Sequence, residues 1–259
     1  PAAGPQDQMA QNIVLSWLAG SRILELKTVQ INDRLVLRRP SIDATTVGYN
    51  VEWSQELLLT DSLREYVAGS MLLDVLKELK LLGAPPGKDE TILDMSVGYD
   101  LAGIRSESVR QWIEAMKDAR PHVEALRAQI PDDLRRFRDL DFATRLSDQI
   151  TLSTFHGCPA SEIEGIVRFL LTEMDVHVTV KLNPTLLGQE RVDHLLHDVL
   201  GYHEVETRAG DFEKDLQWAQ ALEITDRLSE VARSRGRTLG VKFSNTLVVR
   251  NHRPFFPSS

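Results

Sequence analysis

QITLSTFHGCPASEIEGIVRFLLTEMDVHVTVKL, residues 149–182, reads as strand, helix, strand. Gln149–Ser153 and His177–Leu182 are short, β-rich runs of nearly continuous apolar character, as expected of parallel strands buried on both faces. Between them, residues 161–174 carry Ile163, Ile166, Val167, Leu170 and Met174 at helical spacing. Ser161 and Glu164 have the spacing of a capping box. The single cysteine of the 259-residue chain, Cys158, falls in the loop between the first strand and the helix.

The same alternation extends outward. Residues 22–27 (RILELK), 91–97 (TILDMSV) and 238–243 (TLGVKF) read as further buried strands, and 202–206 (YHEVE) as a weaker sixth. Helical periodicity fills the gaps. Residues 6–19 place Met9, Ile13 and Trp17 four apart and stop at Gly20. Residues 55–82 trace a stripe of Leu59, Leu63, Val67, Met71, Val75, Leu79 and Leu82, ended by GAPPG at 83–87. Residues 107–119 continue with Val109, Trp112, Ile113 and Met116, and 211–235 read as one long helix ending at Gly236. The charge-rich stretch 120–147 reads as a solvated surface helix or excursion. Strand–helix alternation of this kind predicts an α/β fold built of parallel β/α units.

Bulk composition narrows the function classes. Apolar residues make up 42% and the net charge is −8, which argues against nucleic acid or anionic membrane as the main partner. One cysteine makes no internal disulfide and holds no iron–sulfur cluster, so a reducing, cytoplasmic setting is expected. No apolar run approaches the roughly 20 residues of a membrane span. The first residue is not Met, and PAAGP reads like the end of something, so a fragment or trimmed product is expected.

Chemistry in parallel β/α folds gathers at the carboxyl ends of the strands. The predicted strands end in Lys27-Thr28, Ser96-Val97-Gly98, Ser153-Thr154 (leading to His156-Gly157-Cys158-Pro159), Lys181-Leu182-Asn183 and Ser244-Asn245-Thr246. Lysines, amides, hydroxyls and a thiol at one edge suit an anionic or electron-accepting ligand. Plainer readings stand beside this one. Lys27 and Lys181 could be strand-end lysines reaching water, Asn245 a turn cap, Cys158 a buried spacer before Pro159, and His156 a turn hydrogen-bonder. His194 and His197 have a metal-like spacing but no evident third ligand, and read as a surface helix.

These strand ends resemble the dihydroorotate dehydrogenase-like flavin barrels, which include the pyrimidine-reducing domain of dihydropyrimidine dehydrogenase. The N-terminal portion of the selenate reductase subunit family is a closer resemblance. It is carried by residues 1–30, LDMSVGYDLAGI at 93–104, LSTFHGCPASEIE at 152–164, VKLNPTLLG at 180–188 and GVKFSNT at 240–246. The resemblance implies a TIM-type (β/α) barrel, one domain over 1–259, truncated at both ends, with helical insertions around 55–90 and 105–147. It implies FMN above the carboxyl ends of the strands. Ala3 and Gly4 would approach the flavin ring, Lys27, Thr28, Ser96, Asn183, Asn245 and Thr246 would contact the cofactor, and Lys181 would stabilise negative charge on reduced flavin. Cys158 would be the general acid or base toward a small heterocyclic or conjugated substrate. Iron–sulfur clusters and FAD or NAD(P)H would belong to other parts of the parent protein, as redox partner modules.

The chain departs from that pattern in places. The usual Asn before the Ser-Cys-Pro loop is replaced here by Ser-Thr-Phe-His-Gly-Cys-Pro, and no Gly-rich phosphate loop follows Asn245-Thr246. The barrel is therefore expected to be incomplete, lacking its last strands, and the piece alone to bind FMN poorly and to be inactive. No residue supports selenate itself as the substrate. Two alternatives remain open at this point: a non-catalytic scaffold barrel that docks redox modules, and a Schiff-base lyase using Lys181.

Overall fold

The structure is a computed structural model that describes residues 8–31, 42–43, 49–50, 57–80 and 91–250. Ala3, Gly4, Leu82 and the GAPPG segment lie outside the described residues. In chain order the elements are α1 (Ala10–Leu18), β1 (Ile23–Glu25), β2 (Ile42–Asp43), β3 (Tyr49–Asn50), α2 (Leu59–Glu78), β4 (Ile92–Val97) and α3 (Leu101–Ile104). They continue with α4 (Glu107–Lys117), α5 (Arg120–Arg127), β5 (Gln149–Ser153), α6 (Ala160–Thr172), β6 (His177–Leu182) and α7 (Gln189–His194). The last are α8 (Ala209–Lys214), α9 (Trp218–Ser234) and β7 (Leu239–Phe243). The chain forms two compact units. The first holds described residues 8–31, 57–80, 91–97 and 102–151, and the second holds 42–43, 49–50, 98–101 and 152–250.

In the first unit β1 and β4 pair in parallel, with Ile23 opposite Ile92 and Glu25 opposite Asp94. Parallel neighbours need a crossover, and α2 lies in it. Helix α1 turns Ile13 and Trp17 inward, and the Trp17 Nε1–H donates to Thr91 Oγ1 at 3.1 Å. Gly20, at φ +105°, turns the chain out of that helix toward β1, a backbone conformation that suits glycine. Helix α4 buries Val109, Trp112, Ile113 and Met116, the face its sequence period marks. Trp112 meets Tyr66 edge-on, and the Tyr66 hydroxyl donates to the Lys27 carbonyl at 2.9 Å.

The stripe read along α2 holds only in part. Leu63, Val67 and Met71 are buried, but Leu79 is 40% exposed. Residues spaced strictly by four advance about 40° per step around a helix, so such a stripe rolls off the core after a few turns. Tyr66, Gly69, Ser70 and Leu73 take over the inward face.

In the second unit β6 and β7 pair in parallel from Val178 opposite Leu239 to Leu182 opposite Phe243. Helix α6 buries Ile163, Ile166, Val167 and Leu170, and α9 buries Ala221, Ile224, Leu228 and Ala232. Four sequence expectations need correction here. Residues 202–206 form no strand: Tyr202 N–H donates back to Leu196 O and Val205 N–H to Tyr202 O, so these backbone groups close turns. Ser161 makes no capping box, because Pro159 is the N-cap of α6 and Ser161 already lies inside the helix. The run 211–235 is broken into α8 and α9 at Asp215-Leu216-Gln217. Strand β7 is not buried on both faces: Val241 is 43% and Phe243 64% exposed, and among the described residues β7 pairs with β6.

Close packing of α1 on α2 depends on a missing side chain. A Cβ at Gly69 would stand 2.9 Å from Ile13 Cδ1 and 3.4 Å from both Ile13 Cβ and Cγ2. Gly69→Val is expected to destabilise the protein by about 2 kcal/mol, since overpacking outweighs the gain in backbone entropy. Thermal unfolding of Gly69→Val, Ile13→Ala and the double variant should show that the smaller partner recovers part of the loss; strict additivity would refute the contact.

Candidate functional site

The loop after β5 is shaped for a tight turn. Gly157 has φ +80°, a conformation that a residue with a Cβ adopts only under strain. Cys158 N–H donates to Phe155 O at 3.2 Å and closes the turn, and Pro159 then starts α6. The ends of β5, β6 and β7 are tied together by side chains. Thr154 Oγ1 donates to the Lys181 carbonyl at 2.8 Å. Asn245 N–H donates to Leu182 O at 2.9 Å, and its Nδ2 group donates to Thr154 O at 3.0 Å and Asn183 Oδ1 at 3.1 Å. Asn245 Oδ1 accepts from Thr246 N–H at 3.0 Å.

Asp215, at the break between α8 and α9, is the centre of this cluster and is 4% exposed. Its carboxylate accepts from Thr185 Oγ1 at 2.7 Å, from Asn183 Nδ2 at 3.2 Å and from Gly157 N–H. His156 Nδ1 stands 3.4 Å from Oδ2. Burial alone would raise the carboxyl pKa, but the bonds from His156, Thr185 and Gly157 outweigh it and hold the group below its ordinary value. The break itself is built locally. Gln217 Nε2 donates to Phe212 O and Asp215 O, while Gln217 N–H donates to Gln220 Oε1 at 3.1 Å.

Cys158 is 2% exposed, and its thiol is pushed up to about 12, first by burial and then by the negative charges of Glu162 and Asp215. At neutral pH it is a thiol, able to donate a proton and a poor nucleophile. Cys158, Thr154, Asn183, Thr185 and Asp215 line a small recess closed by Phe155, Ile163, Leu182, Leu186 and Leu216, with room for about one water molecule.

The second unit thus brings together Cys158, Asn183, Asn245 and the backbone of Lys181, whose side chain is buried; Thr246 joins through its backbone and is exposed. The first unit brings together Thr28 and Ser96, whose hydroxyls lie 2.8 Å apart, beside buried Lys27. Sequence reading missed Asp215 and Thr185. The Gln217-x-x-Gln220 spacing was the available signal, because it marks a fresh helix start inside an apparently continuous helix. His194 Nδ1 pairs with Asp198 at 2.8 Å and His197 Nε2 with Val205 O at 2.8 Å. Among the described residues no group of three or more His, Cys, Asp or Glu is placed to hold a metal ion, and no helix is long and apolar enough to cross a membrane.

Parallel β/α units with polar side chains collected at strand ends define an α/β protein of TIM-barrel type. The chain belongs to the family described as "Oxidoreductase YgfK, N-terminal TIM-barrel domain", which matches residues 1–259. It is 41% identical over 278 aligned residues to proteins named "Putative oxidoreductase YgfK" from Escherichia coli K12 and from Escherichia coli O157:H7. The match covers 99% of this chain and 26% of each relative, so the chain spans about a quarter of the length of the curated relatives it matches.

Asp215→Ala would strip the acceptor from Thr185, Asn183 and Gly157 and should cost about 3 kcal/mol in unfolding free energy. The depressed carboxyl also sets a pH dependence. Its stabilisation is full above the unfolded carboxyl value of about 3.9 and is lost as pH falls through the lower folded value. Melting temperatures measured against pH should therefore fall less steeply at the acid end in Asp215→Asn than in the native protein; parallel curves would contradict the assignment.

Proposed function

We propose that this chain is a domain of a flavin-dependent oxidoreductase, akin in its wider organisation to the selenate reductase subunit family, that passes electrons between FMN and a small heterocyclic or conjugated substrate. The carrying observation is Cys158: a buried thiol, kept protonated, at the carboxyl edge where the ends of β5, β6 and β7 are laced together. The family's oxidoreductase description supports the same reaction class.

FMN, when bound, supplies hydride transfer. The residues fit it in part. Lys181 and Lys27 are buried at strand ends, and ammonium groups there would favour added negative charge on the cofactor. Thr28 and Ser96 place hydroxyls at the strand ends of the first unit. Asn245 spends its amide N–H groups on Thr154 O and Asn183 Oδ1, so it suits a scaffold that fixes the strand ends better than a direct contact. The one-water recess in the second unit holds no flavin ring by itself.

A substrate double bond that accepts hydride at one carbon builds negative charge on its neighbour. The Cys158 Sγ–H can give that neighbour its proton, so that two electrons and two hydrogens are added in all. The sulfur left behind is a buried anion beside Glu162 and Asp215 and strongly favours taking a proton back from solvent. Iron–sulfur and FAD or NAD(P)H modules elsewhere in a cytoplasmic parent chain would supply the electrons.

In the full-length parent protein, Cys158→Ala should slow reduction of an unsaturated heterocycle such as a pyrimidine by about 10²-fold or more while flavin absorbance per chain stays unchanged. A colourless native protein that releases no flavin on denaturation would sink the proposal.

A further inference from the structure

We propose that Asp215 is a positioning residue for Cys158: it fixes the turn that carries the thiol and holds a negative charge beside it, so that the sulfur keeps its proton. This inference rests on the reading of Cys158 as proton donor and adds to it the group that maintains the donor state.

The geometry makes the link direct. Asp215 accepts from the N–H of Gly157, the residue immediately before Cys158, and both Asp215 and Cys158 line the same recess. The carboxylate is itself anchored from β6's loop by Thr185 and Asn183, so the turn is held against a fixed point.

The electrostatics show what the charge adds to burial. Cys158 lies just ahead of the N-terminus of α6, a helix of 13 residues. The positive end of a helix dipole ordinarily lowers a thiol's pKa and favours the thiolate. Among the described residues, the charged groups around the sulfur include Glu162 from the first turn of α6 and Asp215 from the α8–α9 junction; His156 stands in the turn itself beside Asp215, and Lys214 of α8 packs by its Cβ against the Gly157 position. Burial is the largest effect that leaves the thiol protonated, and Glu162 and then Asp215 add to it, all opposing the dipole. Reactive cysteines sit beside cations, and this one sits beside anions, as a group that must give a proton rather than attack a carbon.

The test is the pH profile of Cys158 alkylation by iodoacetamide in the full-length protein, read from the mass of the Cys158 peptide between about pH 7 and about pH 10. Native protein should react slowly, with a rate still rising at the top of the range. Asp215→Asn should react about tenfold faster near pH 8 and level off at lower pH, because a neighbouring charge has gone. Thr185→Val, which loses one bond to Asp215 but keeps the charge, should retain the native profile. An unchanged profile in Asp215→Asn overturns the proposal, as does a Thr185→Val shift equal to that of Asp215→Asn, which would mean simple loosening of the turn. If Asp215→Asn does not fold, Asp215→Ser, which also removes the charge, carries the test: a shift in the same direction supports it and no shift overturns it. Normal turnover by Cys158→Ala would sink the proton-donor reading separately, since the alkylation profile is measured without substrate.

Discussion

A carboxylate taken out of water is unstable unless donors replace its hydration, and in this protein that constraint falls on Asp215. The donors come from different parts of the second unit: the turn after β5, the loop after β6 and the junction where α8 gives way to α9. The carboxylate links these segments at one point. The helix break, the left-handed glycine and the amide pair of Asn183 and Asn245 are three local consequences of one buried charge. Breaking such a cluster at one member costs more than its hydrogen bonds suggest, because the remaining partners stay buried.

The same arrangement limits what the single thiol can do. Nucleophilic cysteines are found where cations stabilise the thiolate. Burial, with two acidic side chains nearby, reverses that preference and keeps Cys158 a thiol. Gly157 supplies the left-handed backbone that the turn requires, and proline after Cys158 restricts the chain as it enters α6.

Much of the fold could be read along the chain because it depends on short-range pattern. Strands Gln149–Ser153 and His177–Leu182 fall at the expected residues, since buried parallel strands are continuous apolar runs with clear ends. Helix α4 shows its inward face in its period. The errors came where a distant partner decides. A helical period runs smoothly through 211–235, and only the pull of Thr185, Asn183 and Gly157 on Asp215 shows why the helix stops. YHEVE has strand composition, but its backbone is claimed by turns to Leu196 and Tyr202. Of the candidate site, Cys158, Asn183 and Asn245 were legible from their places at strand ends, while the acid that joins two of them was hidden in a helix-like run. Lysines 27 and 181 are buried and do not reach water as strand-end lysines could, although burial alone does not say what they touch.

Asn183 carries one more consequence. Asparagine side chains age by cyclising onto the nitrogen of the next residue and opening to a carboxylate. Were that to happen here, a donor to Asp215 would become a negative charge about its hydrogen-bond distance of 3.2 Å away. The next residue is Pro184, whose ring nitrogen carries no hydrogen and resists this cyclisation. The proline that bends the chain after β6 therefore also protects the amide against slow chemical decay, and with it the service life of the cluster.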